Sequence, residues 1–302
     1  MKDFKEHLFR SDYQYQMHSS MKSCLPMDQA IVYVDFAQNY CLAPNDEIQS
    51  AHYVQKQVTI HTMFLMRHTA DSTQENPKLT RESIACISDI LKHATTSVHA
   101  FTTKLLRYMK NNPQKVGLPT VLHRITDNCA FEYKCKDAFH DIFTYQDTLA
   151  VKVVYHYGEP GHGKGPHDGI GATIKHGLDR LVVQDRVRLR NAYEVYLAAS
   201  QNLSTVGHLA DPSRKKELQD SKRIVWYMPS RLIKPQQRSH KIACIKGTMN
   251  LRAIHSINAN EFEISSLSCS CPGCFLGTRA ECSNKEWREV RIHRISSIER
   301  NN

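Results

Sequence analysis

The chain lacks any run of 18 or more apolar residues, the length that a membrane-spanning helix requires. Its first residues, Met1-Lys2-Asp3-Phe4-Lys5-Glu6-His7, carry charge where a secretory leader needs an apolar core, so no leader is expected. Acidic residues are the scarcer sign. Asp and Glu total 30 against 40 Lys and Arg, and the net charge is +10. Such a balance favours a polyanionic partner, of which nucleic acid is the commonest. Internal repeats and low-complexity tracts are absent.

What is present supports a folded core. The 302 residues, 41% of them hydrophobic, suffice for one large domain, or for one domain with a small appendage. Ten cysteines are spread unevenly. Cys24, Cys41, Cys86, Cys129, Cys135 and Cys244 stand alone, mostly beside apolar residues, and read as small buried thiols. Without a leader, reduced thiols are expected here, not a disulfide framework.

The pattern along the chain alternates. Residues 1–25 read as a partly amphipathic helix. The run Ile31-Val32-Tyr33-Val34-Asp35-Phe36 is β-branched, apolar and ends on a carboxylate, as a buried central strand would. Further strands are expected at 57–66, 82–89, 120–127 and 149–157, with a polar loop over 67–82. Apolar residues at Val98, Phe101, Leu105, Leu106 and Met109 give a helical period over 95–111. Helices are also expected over 128–143 and from His167-Asp168 towards Asp185, then short β runs from Arg223 onward. Three early strands followed by strand–helix units indicate a mixed α/β sheet flanked by helices.

Three aspartates fall where such a sheet gathers its chemistry. Asp35 and Asp127 close strands, and groups at the carboxyl ends of strands converge in open α/β sheets. Asp168 lies in the first turn of a helix, where a negative charge is favoured. Carboxylates brought together repel one another unless cations lie between them. Hard dications such as Mg²⁺ or Mn²⁺ favour oxygen ligands. Two of them about 4 Å apart can activate a nucleophile and stabilise a leaving oxygen in phosphodiester chemistry. The strand-to-helix turn His162-Gly163-Lys164-Gly165-Pro166-His167-Asp168-Gly169 combines glycines that allow close backbone approach with His162 and Lys164 as phosphate contacts. It lacks the spacing of a nucleotide P-loop; its bland alternative is a tight turn with a solvated lysine.

Cys269, Cys271, Cys274 and Cys282 form C-x-C-x₂-C-x₇-C, a spacing suited to one tetrahedral Zn²⁺, with His255 as a substitute ligand. Arg279, Lys285, Arg288, Arg291, His293 and Arg294 follow and read as a basic face, able to touch phosphates or simply solvated.

These landmarks resemble a group of transposon-derived animal proteins with an RNase H-like DDE transposase/integrase domain. The residues that carry the likeness are Val34-Asp35-Phe36-Ala37-Gln38-Asn39-Tyr40, Gln49-Ser50-Ala51-His52-Tyr53, Ile87-Ser88-Asp89 with Lys92-His93, Thr126-Asp127-Asn128, and His162-Gly163-Lys164-Gly165 leading to Asp168-Gly169-Ile170-Gly171. The resemblance implies an RNase H-like catalytic domain over 1–205, with 1–27 as a leading helix, and a β-rich, knuckle-like region over 206–302. It implies catalytic and metal-binding roles for Asp35 and Asp127, with Asp168 as third acid and Glu159 as its competitor. His162, Lys164, Asn39 and His52 would touch substrate. DNA would be the partner, Mg²⁺ or Mn²⁺ and a structural Zn²⁺ the cofactors, and the nucleus the compartment; no membrane is involved, and a homo-oligomer is compatible. The implied activity is metal-dependent cleavage or strand transfer on DNA. The flanks depart from the pattern: Asn128 stands where glycine is expected after Asp127, and Ile90 and Ala94 where acids are expected. The alternative is therefore a domesticated descendant that binds DNA or chromatin without cutting it.

Overall fold

Alternation of apolar side chains decides how the first strand sits. In β1 (Gln29–Cys41), Val32, Val34 and Phe36 face one core and Ile31 and Tyr33 face another, the period of two that a strand buried on both sides requires. The computed structural model describes residues 2–42, 56–114, 117–204, 221–236, 240–242, 245–275 and 281–297. His52 and Cys244 lie outside the described residues.

β1 pairs antiparallel with β2 (Gln57–His68), and β2 with β3 (Leu79–Ser88). On its other side β1 pairs parallel with β4 (Val121–Thr126), and β4 with β5 (Lys152–Tyr157). The order of these five is β3-β2-β1-β4-β5. Strands of the 206–302 segment extend the same sheet at both ends. β6 (Ser221–Tyr227) runs parallel beside β3. Beyond β5 come β8 (Ala253–Asn258), β9 (Glu261–Ser265) and β10 (Arg291–Arg294). The two-residue strands β7 (His240–Lys241) and β11 (Ser296–Ser297) form a separate pair.

Helices cover both faces. On one, α2 (Thr95–Asn111), the single turn α3 (Ala130–Tyr133) and α4 (Lys136–Leu149) bring Phe101, Leu105, Tyr133, Phe139 and Phe143 into the larger core. On the other, α5 (Pro166–Val183) and α6 (Ala192–Asn202) bury Ile170, Ile174, Leu178, Val195 and Ala199 against Ile60 and Ile87. Met17 and Met21 of α1 (Lys2–Ser23) cover Ile31, Tyr33 and Ile125. The mixed sheet flanked by helices is the architecture that the sequence implies.

Four boundaries differ from expectation, each for a local reason. Asp35 does not close the first strand, because β1 stays paired with β2 as far as Cys41. The loop expected over 67–82 shrinks because β2 and β3 run on: buried Arg67 and Glu82 pair across them at 2.9 Å, so polar residues can occupy strand positions. The helix expected over 128–143 is split after Tyr133. There the buried Lys134 ammonium binds Asn128 Oδ1 and the Leu251 carbonyl, and Cys135 is extended before α4 begins. The last expected strand begins three residues late, because α4 reaches Leu149 and ends at Ala150 with φ 54°.

A carboxylate centre and a thiol centre

Strand register brings the first two aspartates together. Tyr33 of β1 is opposite Ile125 of β4, so two residues further on Asp35 and Asp127 project from adjacent parallel strands on the same face. Asp127 leaves the strand in a turn, its Oδ1 accepting from the Cys129 N–H at 3.0 Å. That turn starts α3, which carries Glu132. Asp35 Oδ1 accepts from the Phe36 N–H at 2.8 Å.

Two glycines let the remaining parts approach. A Cβ at Gly171 would sit 3.0 Å from Ala37 Cβ, so glycine there lets α5 lie close on β1 and brings its first turn over Asp35. A Cβ at Gly163 would sit 3.1 Å from Asp127 Cβ, so the 158–165 loop can cross directly over that aspartate. Asp168 caps its own helix, Oδ2 accepting from the Gly165 N–H at 2.7 Å.

The result is two overlapping groups. Asp35, Asp127 and Glu132 each offer an oxygen, and those atoms lie within 4.8 Å of one another. Asp35, His167 and Asp168 do the same with two oxygens and a ring nitrogen. Asp35 belongs to both. A groove of 320 Å³ opens beside it, lined by Asp35, Phe36, Gln38, His167, Asp168 and Lys175. Among the described residues no Lys, Arg or His pairs with Asp35 or Asp127. Burial, then the charge of Asp127, pushes the Asp35 carboxyl up to about 7; Asp127 is also raised, chiefly by burial.

This has a pH signature. The folded state holds the Asp35 proton more tightly than the unfolded chain. Its contribution to stability is therefore fully present below the ordinary carboxylate value of 3.8 and is lost as pH rises to about 7. In buffer free of Mg²⁺ and Mn²⁺, wild type is expected to lose melting temperature relative to Asp35→Asn across that interval. Parallel melting-temperature curves would contradict the burial of an unpaired carboxylate at this position.

Glu159 has another role. Its buried carboxylate accepts from Arg252 Nε at 2.6 Å and Arg10 Nε at 3.2 Å, with His7 Nδ1 at 3.1 Å. Burial pushes it up, but the hydrogen bond and charge of Arg252, with help from Arg10 and His7, hold it below its ordinary value. It joins α1 to the glycine-rich loop and belongs to neither acidic group. Glu159→Ala would leave Arg252 buried and unpaired, and is expected to cost about 3–5 kcal/mol in denaturant unfolding, against a smaller loss for Glu159→Gln.

Of the expected substrate contacts, Asn39 is engaged inside the protein: its Oδ1 meets Thr59 Oγ1 at 3.0 Å and His93 Nε2 at 2.8 Å. His93 stacks on Phe36 with ring centroids 4.1 Å apart and places Nδ1 3.5 Å from Glu132 Oε1. His162 and Lys164 are exposed on the loop leading to Asp168. Asp89, a third strand-ending aspartate, accepts from the Ser230 N–H and hydroxyl instead. Sequence reasoning missed Glu132 and His167 as members of the centre.

The four clustered thiols also converge, their sulfurs all within 4.8 Å of one another. Cys269 and Cys282 Sγ are 3.8 Å apart, the edge of a tetrahedron with metal–sulfur bonds of about 2.3 Å. His255 lies near Glu263 and is not part of this cluster. A hydrogen bond from Cys274 lowers Cys269 to about 4, against the effect of its burial. Arg288, expected on a basic face, is instead buried. Its guanidinium pairs with Glu263 at 2.8 Å and donates to Cys274 and Cys282 Sγ at 3.6 and 3.5 Å. Arg291 and Arg294 are exposed, and Arg279 lies outside the described residues.

A family model described as "Domain of unknown function (DUF8701)" matches residues 14–268. No curated protein matches the chain. A solved structure, "Crystal structure of NurA bound to dAMP and manganese", aligns over 97% of this chain and 57% of its own length at 8% identity, with a TM-score of 0.14.

Proposed function

We propose that this chain, which belongs to the DUF8701 family, is a divalent-metal-dependent nuclease or strand transferase of the RNase H-like, transposase-related kind, acting on DNA. The observation that carries the proposal is the meeting of Asp35, Asp127, Glu132 and Asp168 from four separate elements in two groups that share Asp35. A raised, unpaired carboxylate is costly in the ion-free protein, and a site that keeps such a cost has a use for it. The order β3-β2-β1-β4-β5, an antiparallel meander followed by parallel strands, supports the RNase H-like reading.

Bound dications would supply a nucleophile at neutral pH and charge neutralisation at the leaving oxygen. The chain's own residues do the positioning. Asp35 is fixed by the Phe36 amide, Asp127 by the Cys129 amide, and Asp168 by the Gly165 amide, which leaves each carboxylate with oxygen lone pairs for an ion held between the acids. His93, stacked on Phe36, holds Glu132 from behind. The exposed Lys164 and His162 stand on the loop that leads to Asp168 and would meet phosphates that flank the reacting one. We assign Cys269, Cys271, Cys274 and Cys282 to a structural Zn²⁺, with Arg288 behind them. The proposed setting is the nucleus, on chromosomal DNA.

Supercoiled plasmid tests the reading. Purified protein with Mn²⁺ is expected to convert it to the nicked form. Binding without cleavage at any dication concentration would leave the non-cutting, domesticated descendant as the better description. Binding in either case should weaken steeply with salt.

A further inference from the structure

We infer that the two halves of the carboxylate centre differ in metal chemistry, and that the half built from Asp35, His167 and Asp168 takes a first-row transition-metal dication in preference to Mg²⁺ through the His167 imidazole. The inference rests on the reading above only in treating Asp35 as a metal ligand. Asp35, Asp127 and Glu132 offer oxygen alone, a set that suits Mg²⁺ and Mn²⁺ alike. The other half adds an aromatic nitrogen. Mg²⁺ is hard, prefers oxygen and gives up its waters reluctantly, whereas later dications accept imidazole.

His167 is not accounted for by packing. It is 2% exposed, yet among the described residues its Nδ1 has no hydrogen-bond partner. Among the same residues its Nε2 meets Asp168 Oδ2 at 3.5 Å, outside good hydrogen-bond geometry. A buried imidazole left so poorly satisfied costs free energy that the fold would avoid with an apolar residue. The surroundings instead hold the ring in place. It stacks over Tyr33 with planes 17° apart. A Cβ at Gly165 would fall 2.9 Å from two of its ring atoms, so the glycine leaves the ring its position. The ring nitrogen that it offers lies within 4.8 Å of oxygens of both Asp35 and Asp168.

The test uses the full chain with Mn²⁺ as probe and does not depend on cleavage. Pulsed electron paramagnetic resonance of the Mn²⁺-loaded protein is expected to show ¹⁴N modulation from a coordinated imidazole. In a competition titration, Mg²⁺ is expected to displace the ion of the all-oxygen half more readily than the other. His167→Gln should abolish the ¹⁴N modulation and that difference together. Mn²⁺ bound without ¹⁴N modulation in wild type, or modulation that survives in His167→Gln, would overturn the inference. The wild-type spectrum decides even if the variant folds poorly. An all-oxygen spectrum in a protein that nicks plasmid would overturn this assignment and leave the nuclease reading standing. An imidazole signal in a protein that nicks nothing would support the assignment and count against the nuclease reading.

Discussion

Asp35→Asn is expected to abolish Mn²⁺-dependent nicking and, at the same time, to make the metal-free protein more stable. Asp35 is the one carboxylate common to both acidic groups, so its loss disturbs every ion that the centre could hold. Removing even an outer partner of a metal ligand typically costs 10- to 100-fold, so losing a shared ligand should cost at least about a hundredfold. Asp168→Asn touches one group only and should leave more activity. The stability gain comes from the same geometry. Burial and the neighbouring Asp127 raise Asp35 to about 7, so an ionised carboxylate above that pH is held at a cost that the amide avoids. At pH 8 without dications the gain should be on the order of 2 kcal/mol, discounted for partial solvent screening. Adding Mn²⁺ should reverse the ranking, since only wild type binds it fully. Equal nicking by wild type and variant would remove Asp35 from the chemistry.

The second large effect concerns the thiols. Purified protein is expected to carry one Zn²⁺ per chain, released by a thiol-modifying reagent and read with a colorimetric chelator. Cys282→Ser should lose it and unfold several kcal/mol more easily, because structural zinc sites contribute about 10–16 kcal/mol of apparent binding free energy in isolated fingers. The loss should spread beyond the cluster. Arg288 couples the thiols to Glu263 of β9. Ser268, next to Cys269, donates its N–H to Gln14 Oε1 of α1 at 3.0 Å, and Gln14 in turn donates to the Tyr157 carbonyl of β5. A loosened cluster therefore frees α1, which also carries Arg10 and His7 to Glu159. Increased hydrogen exchange confined to residues 269–290 would contradict this coupling.

Much of the sheet was legible because its strands are continuous β-branched runs bounded by polar turns, and a run such as Ile31–Phe36 fits little else. Two of the acids were legible for a related reason, although only Asp127 stands at a strand end: β1 runs on to Cys41, and Asp35 falls where β1 passes the carboxyl end of its parallel partner β4. The signal is not sufficient by itself: Asp89 follows the last residue of β3 and accepts from the Ser230 amide and hydroxyl, so a strand-end position alone does not make a ligand. Glu132 was hidden because its place depends on where α3 breaks, and the break is made by Lys134 reaching Leu251, more than a hundred residues away. His167 was quoted within the glycine-rich turn but read only as the start of a helix. Its burial follows from the stack on Tyr33 and the space left by Gly165, which no spacing rule expresses. Asp168 is preferred over Glu159 as third acid for its place in the first turn of a helix, and Glu159 is in fact claimed by Arg252. Arg288 shows the converse. A basic residue beside cysteines reads as surface charge, but the cysteine sulfurs and Glu263 hold it inside.

In the proposed site Asp35 is shared by two dications, one against Asp127 and Glu132 and the other against His167 and Asp168. Crystals soaked in Mn²⁺ and measured at the manganese absorption edge test it most directly. Two anomalous peaks roughly 4 Å apart, both in contact with Asp35, are the predicted result. A map with no peak at Asp35, in crystals whose thiol cluster holds its metal, would contradict it.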